Sequence, residues 1–227
     1  MTSTQQPEGS QGGPASHPVV GFIPWILFWV IGGPASWETA SIAALLAALL
    51  VLALSIGVQP LAAWSAGREQ DGGARLVLRH IKLLDVATVV FFVAMTIAAV
   101  VTSRHDVAEL DRYSQAIASG ALAIIALGSI VAGHPFTVDY AREQAPPEVW
   151  HTAAFKRINL VLSATWTAVF AVCAVLGWVA QQGAAKGVRD WLNWYIPIIV
   201  VFLAFRFTSW YPDQVRAAQQ DQAGVQR

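Results

Sequence analysis

The residues able to do chemistry are few and lie in two places. Asp85 stands inside an apolar run, KLLDVATVV. An ionisable group within a membrane span is costly and is commonly functional. It also has a plainer reading. Asp85 falls in a first helical turn, where the helix dipole favours a carboxylate, and Lys82 and Arg79 are close in sequence. Arg206 mirrors it in the last turn of the final apolar run, the favourable end for a cation whose stem can snorkel to the interface. Asp85 and Arg206 are therefore expected to meet near one membrane face.

The second place is GHPFTVDYAREQAPPEVWHTAAFKRIN, residues 133–159. Asp139, Arg142 and Glu143 have helical spacing, so Asp139 and Glu143 can share a face, and Pro146-Pro147 then ends the turn. The plainer reading is a loop that only fastens one helix to the next. His134, Asp139, Glu143 and His151 are metal-ligand types without a recognised ligand spacing. No nucleophile elbow, phosphate-binding glycine loop or paired zinc-ligand motif occurs in the sequence. No catalytic, cofactor or metal residue is assigned, and no cofactor is expected. The candidate polar cluster is Asp85, Arg206, Asp139, Arg142, Glu143 and Asn159. Asn159 and Asn193 are also candidates for hydrogen bonds between helices, worth about 0.6 kcal/mol each.

These residues need a scaffold, and composition says which. The chain has 227 residues, 56% hydrophobic and 12% charged, with mean hydropathy +0.51. Soluble domains carry about 25% charged residues. Basic and acidic side chains cancel to a formal net charge of +0, which excludes a basic nucleic-acid binder. The single cysteine, Cys173, excludes a disulfide framework.

Six apolar segments stand out: 19–33, 40–58, 83–102, 113–133, 158–180 and 191–207, the last reaching full length at Trp210. Crossing a hydrocarbon core takes about 20 apolar residues. Unbroken runs of this kind satisfy their backbone groups as helices rather than as barrel strands. The expectation is an all-α polytopic membrane helix bundle with six transmembrane helices. The first is short and holds Pro24, so it is either a full span or a re-entrant piece. Residues 1–18 lack Lys and Arg, hence a signal-peptide n-region, and read as a disordered polar tail. Residues 19–211 form the transmembrane domain, and 212–227 read as a second polar tail.

Lys and Arg concentrate on one side. Arg68, Arg75, Arg79, Lys82, Arg142, Lys156, Arg157, Arg206, Arg216 and Arg227 fall on one face, and Arg104, Arg112, Lys186 and Arg189 on the other. The positive-inside rule places the first group, and the C-terminus, in the cytoplasm. Trp37, Trp64, Trp150, Trp191, Trp194 and Trp210 lie near segment ends, where an amphipathic ring favours the headgroup zone. Trp166 lies mid-segment and should pack on a helix or on lipid.

Local signals concern packing. Ala116/Gly120 and Gly128/Ala132 are small pairs four apart, which allow close backbone approach between membrane helices. Pro197 removes the bond to the carbonyl of Asn193, so the last helix should kink near its start. Ser36 is a candidate N-cap with Glu38 in the first turn behind it.

The last third of the chain, roughly 128–211, has a recognisable shape. APPEVW is followed by Ile158-Asn159, then a helix with a central Trp (ATWTAVFAV), then Asp190-Trp191-Leu192-Asn193 and a Phe-rich helix ending in aromatics. This pattern resembles the intracellular septation protein A family of small bacterial inner-membrane proteins. GHPFTVDYARE also resembles a segment of multi-pass bacterial membrane proteins of unassigned role. The chain departs from the septation family in its length, its polar tails and the run His151–Lys156. The resemblance implies a non-enzymatic envelope protein linked to division or wall synthesis, and brings no catalytic residues with it.

The expected function is thus a scaffold or accessory factor of the bacterial cytoplasmic membrane. Its partners would be the lipid bilayer and other membrane proteins or a second copy, with no nucleic acid. A transporter subunit is the first alternative, although the Pro-bearing segments, one and six, are not at corresponding places of two three-helix halves. A membrane-embedded lipid-modifying enzyme is the second. It would need Asp85 and the Asp139–Glu143 pair to face one cytoplasmic pocket.

Overall fold

A computed structural model describes residues 18–32, 36–65, 82–101, 104–183 and 185–225, with side chains over 20–32, 36–55, 82–101, 110–183 and 185–218. The polar tail at 1–17 and the basic loop with Arg68, Arg75 and Arg79 lie outside the described residues. The elements are α1 (Pro18–Gly32), α2 (Trp37–Ser65), α3 (Leu83–Val101), α4 (Arg104–Val131), α5 (Thr137–Gln144), a 3-10 turn (Pro147–Val149), α6 (Ala153–Ala180), α7 (Lys186–Asp190), a π turn (Trp191–Tyr195) and α8 (Ile196–Val225). The architecture is an all-α bundle, with no strand among the described residues.

Among the described residues, five helices are long and apolar enough to cross a membrane: Trp37–Ser55, Leu83–Val101, Leu110–Val131, Ala153–Ala180 and the composite Lys186–Ala218. Their outward faces carry Leu46, Leu50, Val90, Ile124, Val175 and Phe202 in the open. A helix apolar on every side suits lipid rather than water. The chain is a multi-pass membrane protein.

The short first helix buries Phe22, Trp25 and Phe28 in the bundle and leaves Ile23, Ile26 and Val30 exposed. Its 15 residues reach roughly 22 Å. One end, at Gly21, lies against Tyr140 and Asp85. The other, at Trp29 and Val30, lies with Gln115 and Asn193. So α1 runs from one end of the bundle to the other. Its packed face fixes its position, so its length need not match the full lipid thickness.

The core around α1 is aromatic. Trp25 is fully buried, stacks on Phe91 at 4.9 Å between ring centroids, and donates its Nε1–H to Thr88 Oγ1 at 2.9 Å. Phe22 stacks on Trp166 at 5.6 Å and meets Phe170 and Phe136. These contacts join two halves, α1–α2–α3 and α4–α6–α8. Lipid tails are as apolar as leucine, so such packing works through dispersion and shape rather than through burial from water. Trp166 packs as its mid-segment place suggested, and its Nε1–H donates to Thr208 Oγ1 of α8 at 3.1 Å. Trp37, at the start of a candidate span, turns into the protein rather than outward: it is fully buried, and its backbone N–H donates to Asp111 Oδ1 at 3.1 Å.

Small residues set the α4–α6 interface. A Cβ on Gly177 would lie 3.3 Å from Cα and Cβ of Ala116, and one on Gly120 would lie 3.9 Å from Cβ of Ala174. The Ala116/Gly120 pair therefore works as a close-approach face, while Gly128 meets nothing among the described residues and Ala132 is exposed. We expect Gly177→Ala to cost about 1 kcal/mol, since Ala116 backbone cannot yield, and Gly128→Ala to cost nothing. Equal unfolding midpoints for the two variants in detergent would contradict this packing.

Ser36 caps α2: its Oγ accepts from the Thr39 N–H at 3.4 Å. Gly133, with φ +76°, closes α4 in the left-handed conformation that favours glycine. Helix α8 continues through Pro212 to Val225, past the point where composition suggested a disordered tail. Residues 213–222, DQVRAAQQDQ, are good helix formers, and Asp213 pairs with Arg216 one turn on at 3.1 Å.

Pro197 acts at α8 as expected, with a repair. It cannot donate to the Asn193 carbonyl. The chain there winds as a π turn, with the Ile196 N–H bonding to the Trp191 carbonyl. The freed Asn193 carbonyl accepts from Gln115 Nε2 of α4 at 3.0 Å. We expect Gln115→Leu to cost about 1–2 kcal/mol by stranding that carbonyl. Adding Pro197→Ala, which restores a backbone donor, should recover most of the loss. A double variant as unstable as Gln115→Leu alone would reject this account.

Candidate functional site: a buried polar node at one end of the bundle

Helix α3 begins where four other segments converge. Its first backbone N–H groups have no partner within the helix. Asp139 of α5 supplies one, its Oδ2 accepting from the Leu83 N–H at 3.2 Å. The other carboxylate oxygen, Oδ1, lies 2.7 Å from Nε2 of His134. Asp139 is thus fixed on both sides, by a helix terminus and by an imidazole.

Lys82 precedes α3 and is only 5% exposed. Its Nζ lies 3.2 Å from Oε2 of Glu143 and 4.4 Å from the centroid of the Tyr140 ring. The ring face adds a cation–π attraction to the ion pair. The Lys82 charge also acts on Asp85, which is 4% exposed. Asp85 Oδ2 accepts from Ser55 Oγ of α2 at 3.4 Å.

Tyr140 closes the node. It is 4% exposed, and its hydroxyl has no hydrogen-bond partner among the described residues. The hydroxyl faces Gly21 of α1, and a Cβ at that position would sit 3.5 Å from Asp85 Oδ1. Burial, with the charges of Asp85, Asp139 and Glu143 beside it, pushes the Tyr140 phenol well above its ordinary value. Tyr140 therefore stays protonated.

The residues 133–152 are more than a fastening. Helix α5 lies across the bundle end with Val138 and Tyr140 inward. Thr137 Oγ1 donates to the Asn159 carbonyl of α6 at 3.0 Å and lies 2.9 Å from Ser163 Oγ. The Phe136 N–H donates to Ser129 Oγ at 3.1 Å. Thr152 caps α6, its Oγ1 accepting from the Phe155 N–H at 3.2 Å.

The structure thus brings together Asp85, Asp139 and Glu143, as their sequence positions allowed. It does not bring Arg206 to Asp85. Arg206 lies on α8, and among the described residues no hydrogen bond or ion pair joins it to Asp85. The reason is the arrangement of the halves: α8 packs chiefly on α6 and α3 chiefly on α2. Arg142 points away from the node and sets its guanidinium 5.4 Å from the Trp150 ring. Asn159 is buried, but its Nδ2 bonds back to the Phe155 carbonyl of its own helix at 2.8 Å rather than across helices. His151 is exposed, and among the described residues no group of three His, Cys, Asp or Glu is placed to hold a metal.

Reasoning from sequence missed Tyr140, Ser55 and Gly21. Spacing offered one signal: Tyr140 lies three residues before Glu143, on the side of α5 that Glu143 also occupies. Among the described residues the node holds three carboxylates, one ammonium and one imidazole, with Asp139 and Glu143 each engaged by a base within the protein.

No family model matches the chain, and no curated protein or solved structure matches it.

Proposed function

We propose that the chain is a non-enzymatic accessory protein of a bacterial cytoplasmic membrane, a scaffold of the kind that a septation protein A-like pattern implies. The observation that carries this reading is the closure of the node upon itself. Lys82, Asp85 and Tyr140 are buried, and Glu143 and Asp139 are engaged by Lys82, His134 and the α3 terminus. A catalytic pocket needs room for a reacting atom between such groups. The interior between α1, α3 and α6 holds buried Trp25, Phe28, Phe92 and Phe170, side chains without the charged or helix-end groups with which a carrier holds an ionic solute. The basic loops place the C-terminus and the node in the cytoplasm on this reading.

One observation favours the lipid-modifying reading: the convergence of Asp85, Asp139 and Glu143 around Lys82. The two readings part in one experiment. In a strain lacking the chain, Asp85→Asn and Glu143→Gln keep side-chain shape and remove the charge. Provided each variant inserts and stays monodisperse in detergent, both should restore cell division and retain the same co-purifying proteins. Loss of function with an intact fold would overturn the scaffold reading in favour of chemistry. Normal morphology in the deletion strain with lost uptake of one solute would overturn it in favour of transport.

A further inference from the structure

At the end of the bundle remote from the node, an open groove of about 390 Å³ runs between α4 and α6, lined by Tyr113, Ala116, Ile117, Ala174 and Trp178. Sequence explains its shape. Ala116 and Ala174 leave the floor without bulk, and Tyr113 and Trp178 supply aromatic walls. Trp178 and Ile117 are exposed on the outer surface. The groove occupies the outermost turns of two candidate spans, Leu110–Val131 and Ala153–Ala180, so its apolar walls lie where lipid chains reach.

Its outer end is polar. Arg112, one residue before Tyr113, reaches across from α4, and its Nη2 donates to the Gln181 carbonyl just past the end of α6. The guanidinium thus crosses the gap between the two helices that form the groove. It is exposed, and its Cζ lies 5.5 Å from the centroid of the Tyr113 ring, itself a wall of the groove. On the same ring, the Tyr113 hydroxyl accepts from Gln182 Nε2 at 3.3 Å.

Two features say what belongs there. The first is charge. A guanidinium carries five N–H donors. Arg112 spends one on a neutral carbonyl, and among the described residues no carboxylate pairs with it. Its fork matches two oxygens of a phosphate, and the Tyr113 hydroxyl, an acceptor from Gln182, keeps its own proton to donate. The second is order along the helices. The cation lies at the span end and the apolar groove runs inward from it, the order in which a phospholipid presents its phosphate and then its chain. Phosphatidylcholine cancels its phosphate charge with its own cation, whereas phosphatidylglycerol leaves that charge to Arg112.

We propose that this groove binds an anionic glycerophospholipid such as phosphatidylglycerol, with its phosphate on Arg112 and Tyr113 and one acyl chain along Ile117 and Trp178. The site is separate from the node and does not rest on the scaffold reading.

The test uses the full chain in phosphatidylcholine nanodiscs with phosphatidylglycerol carrying a photoreactive diazirine in its acyl chain. The label should concentrate on residues 113–117 and 174–178. Unlabelled phosphatidylglycerol should compete, whereas phosphatidylethanolamine at equal concentration should not. Arg112→Gln removes the charge and should weaken capture about tenfold, the loss of a charge-assisted hydrogen bond. Ile117→Trp should abolish labelling of the groove by filling it. Arg189→Gln removes an exposed cation of α7 that does not line the groove, and should leave capture unchanged. Should Ile117→Trp fail to fold, the competition, Arg112→Gln and Arg189→Gln arms decide alone. Equal losses in Arg112→Gln and Arg189→Gln would mark a diffuse positive field rather than a site and overturn the proposal. So would undiminished capture by Arg112→Gln, equal capture of a diazirine-bearing phosphatidylcholine, or label spread evenly over the outer faces of α2 and α3. Crosslinking of the groove to a second copy in place of lipid would overturn it as well.

Discussion

Lys82→Met is expected to destabilise the bundle by about 3–5 kcal/mol, the usual cost of breaking a buried ion pair from one side. The magnitude follows from what is left behind. Lys82 is the only ammonium in the node among the described residues, and its side chain is 6% exposed, against 25% for its partner Glu143. Without it, Glu143 and Asp85 face each other's charge, and among the described residues only Ser55, at 3.4 Å, still donates to Asp85. The effect is not evidence that the pair itself stabilises the fold, because two charges first had to be taken out of water. A cycle separates the two. Adding Glu143→Leu to Lys82→Met removes one stranded carboxylate and should recover at least a third of the loss. Unfolding of the purified variants in mixed micelles measures both. A loss below about 1 kcal/mol for Lys82→Met, the value of an exposed pair, would mean that water reaches the node and that its closure is not what holds α5 in place.

That closure also bears on how far the sequence could be read. Length and hydropathy located the long helices, but α2, α4 and α8 extend past their apolar stretches, because propensity carries a helix beyond the lipid. Position along each helix was legible as well: Asp85 lies in the first turn of α3, and Arg206 lies near the end of the apolar stretch of α8. What sequence lacks is azimuth, the direction around the bundle in which each helix points. Two residues near the matching ends of α3 and α8 can sit in different halves of the bundle, and these do. The Lys82 neighbourhood was foreseeable because it is local to Asp85. The Asp139–Glu143 pairing was foreseeable as a shared helical face, but not the fact that this face covers the N-terminus of α3.

The same limit applied to α1. Its apolar stretch from Val20 to Gly32 is too short for a lone span in lipid, and composition left two fates open. Its burial among Phe92, Trp166 and Phe170 supplies what length did not. A helix packed along one face on an aromatic core is positioned by that packing more than by hydrophobic thickness. This places the tightest constraint on the smallest residue of its first turns, Gly21.

Gly21→Ala should accordingly cost about 2–3 kcal/mol through overpacking. The new methyl would overlap the Tyr140 hydroxyl and lie 3.2 Å from its Cζ. Neither can retreat easily, since the ring is buried and Lys82 rests on its face. Tyr140→Phe removes the obstructing oxygen. Because that hydroxyl is buried without a partner among the described residues, its deletion alone should be neutral or stabilising by up to about 1 kcal/mol. Combined with Tyr140→Phe, the alanine should then cost less than about 1 kcal/mol, since only the ring edge must give. The coupling between the two sites, about 1.5–2 kcal/mol, is the quantity to measure by detergent unfolding. The sign of the single Tyr140→Phe change is the sharper result. A loss of about 1–2 kcal/mol would show that the hydroxyl has a partner, with the Asp85 carboxylate beside it at Gly21 the candidate. The node would then be a hydrogen-bonded relay running from α1 to α5 rather than an ion-paired lock. Neutrality, with rescue of Gly21→Ala, fixes it as a lock in which α1 is held by shape and α3 and α5 by charge.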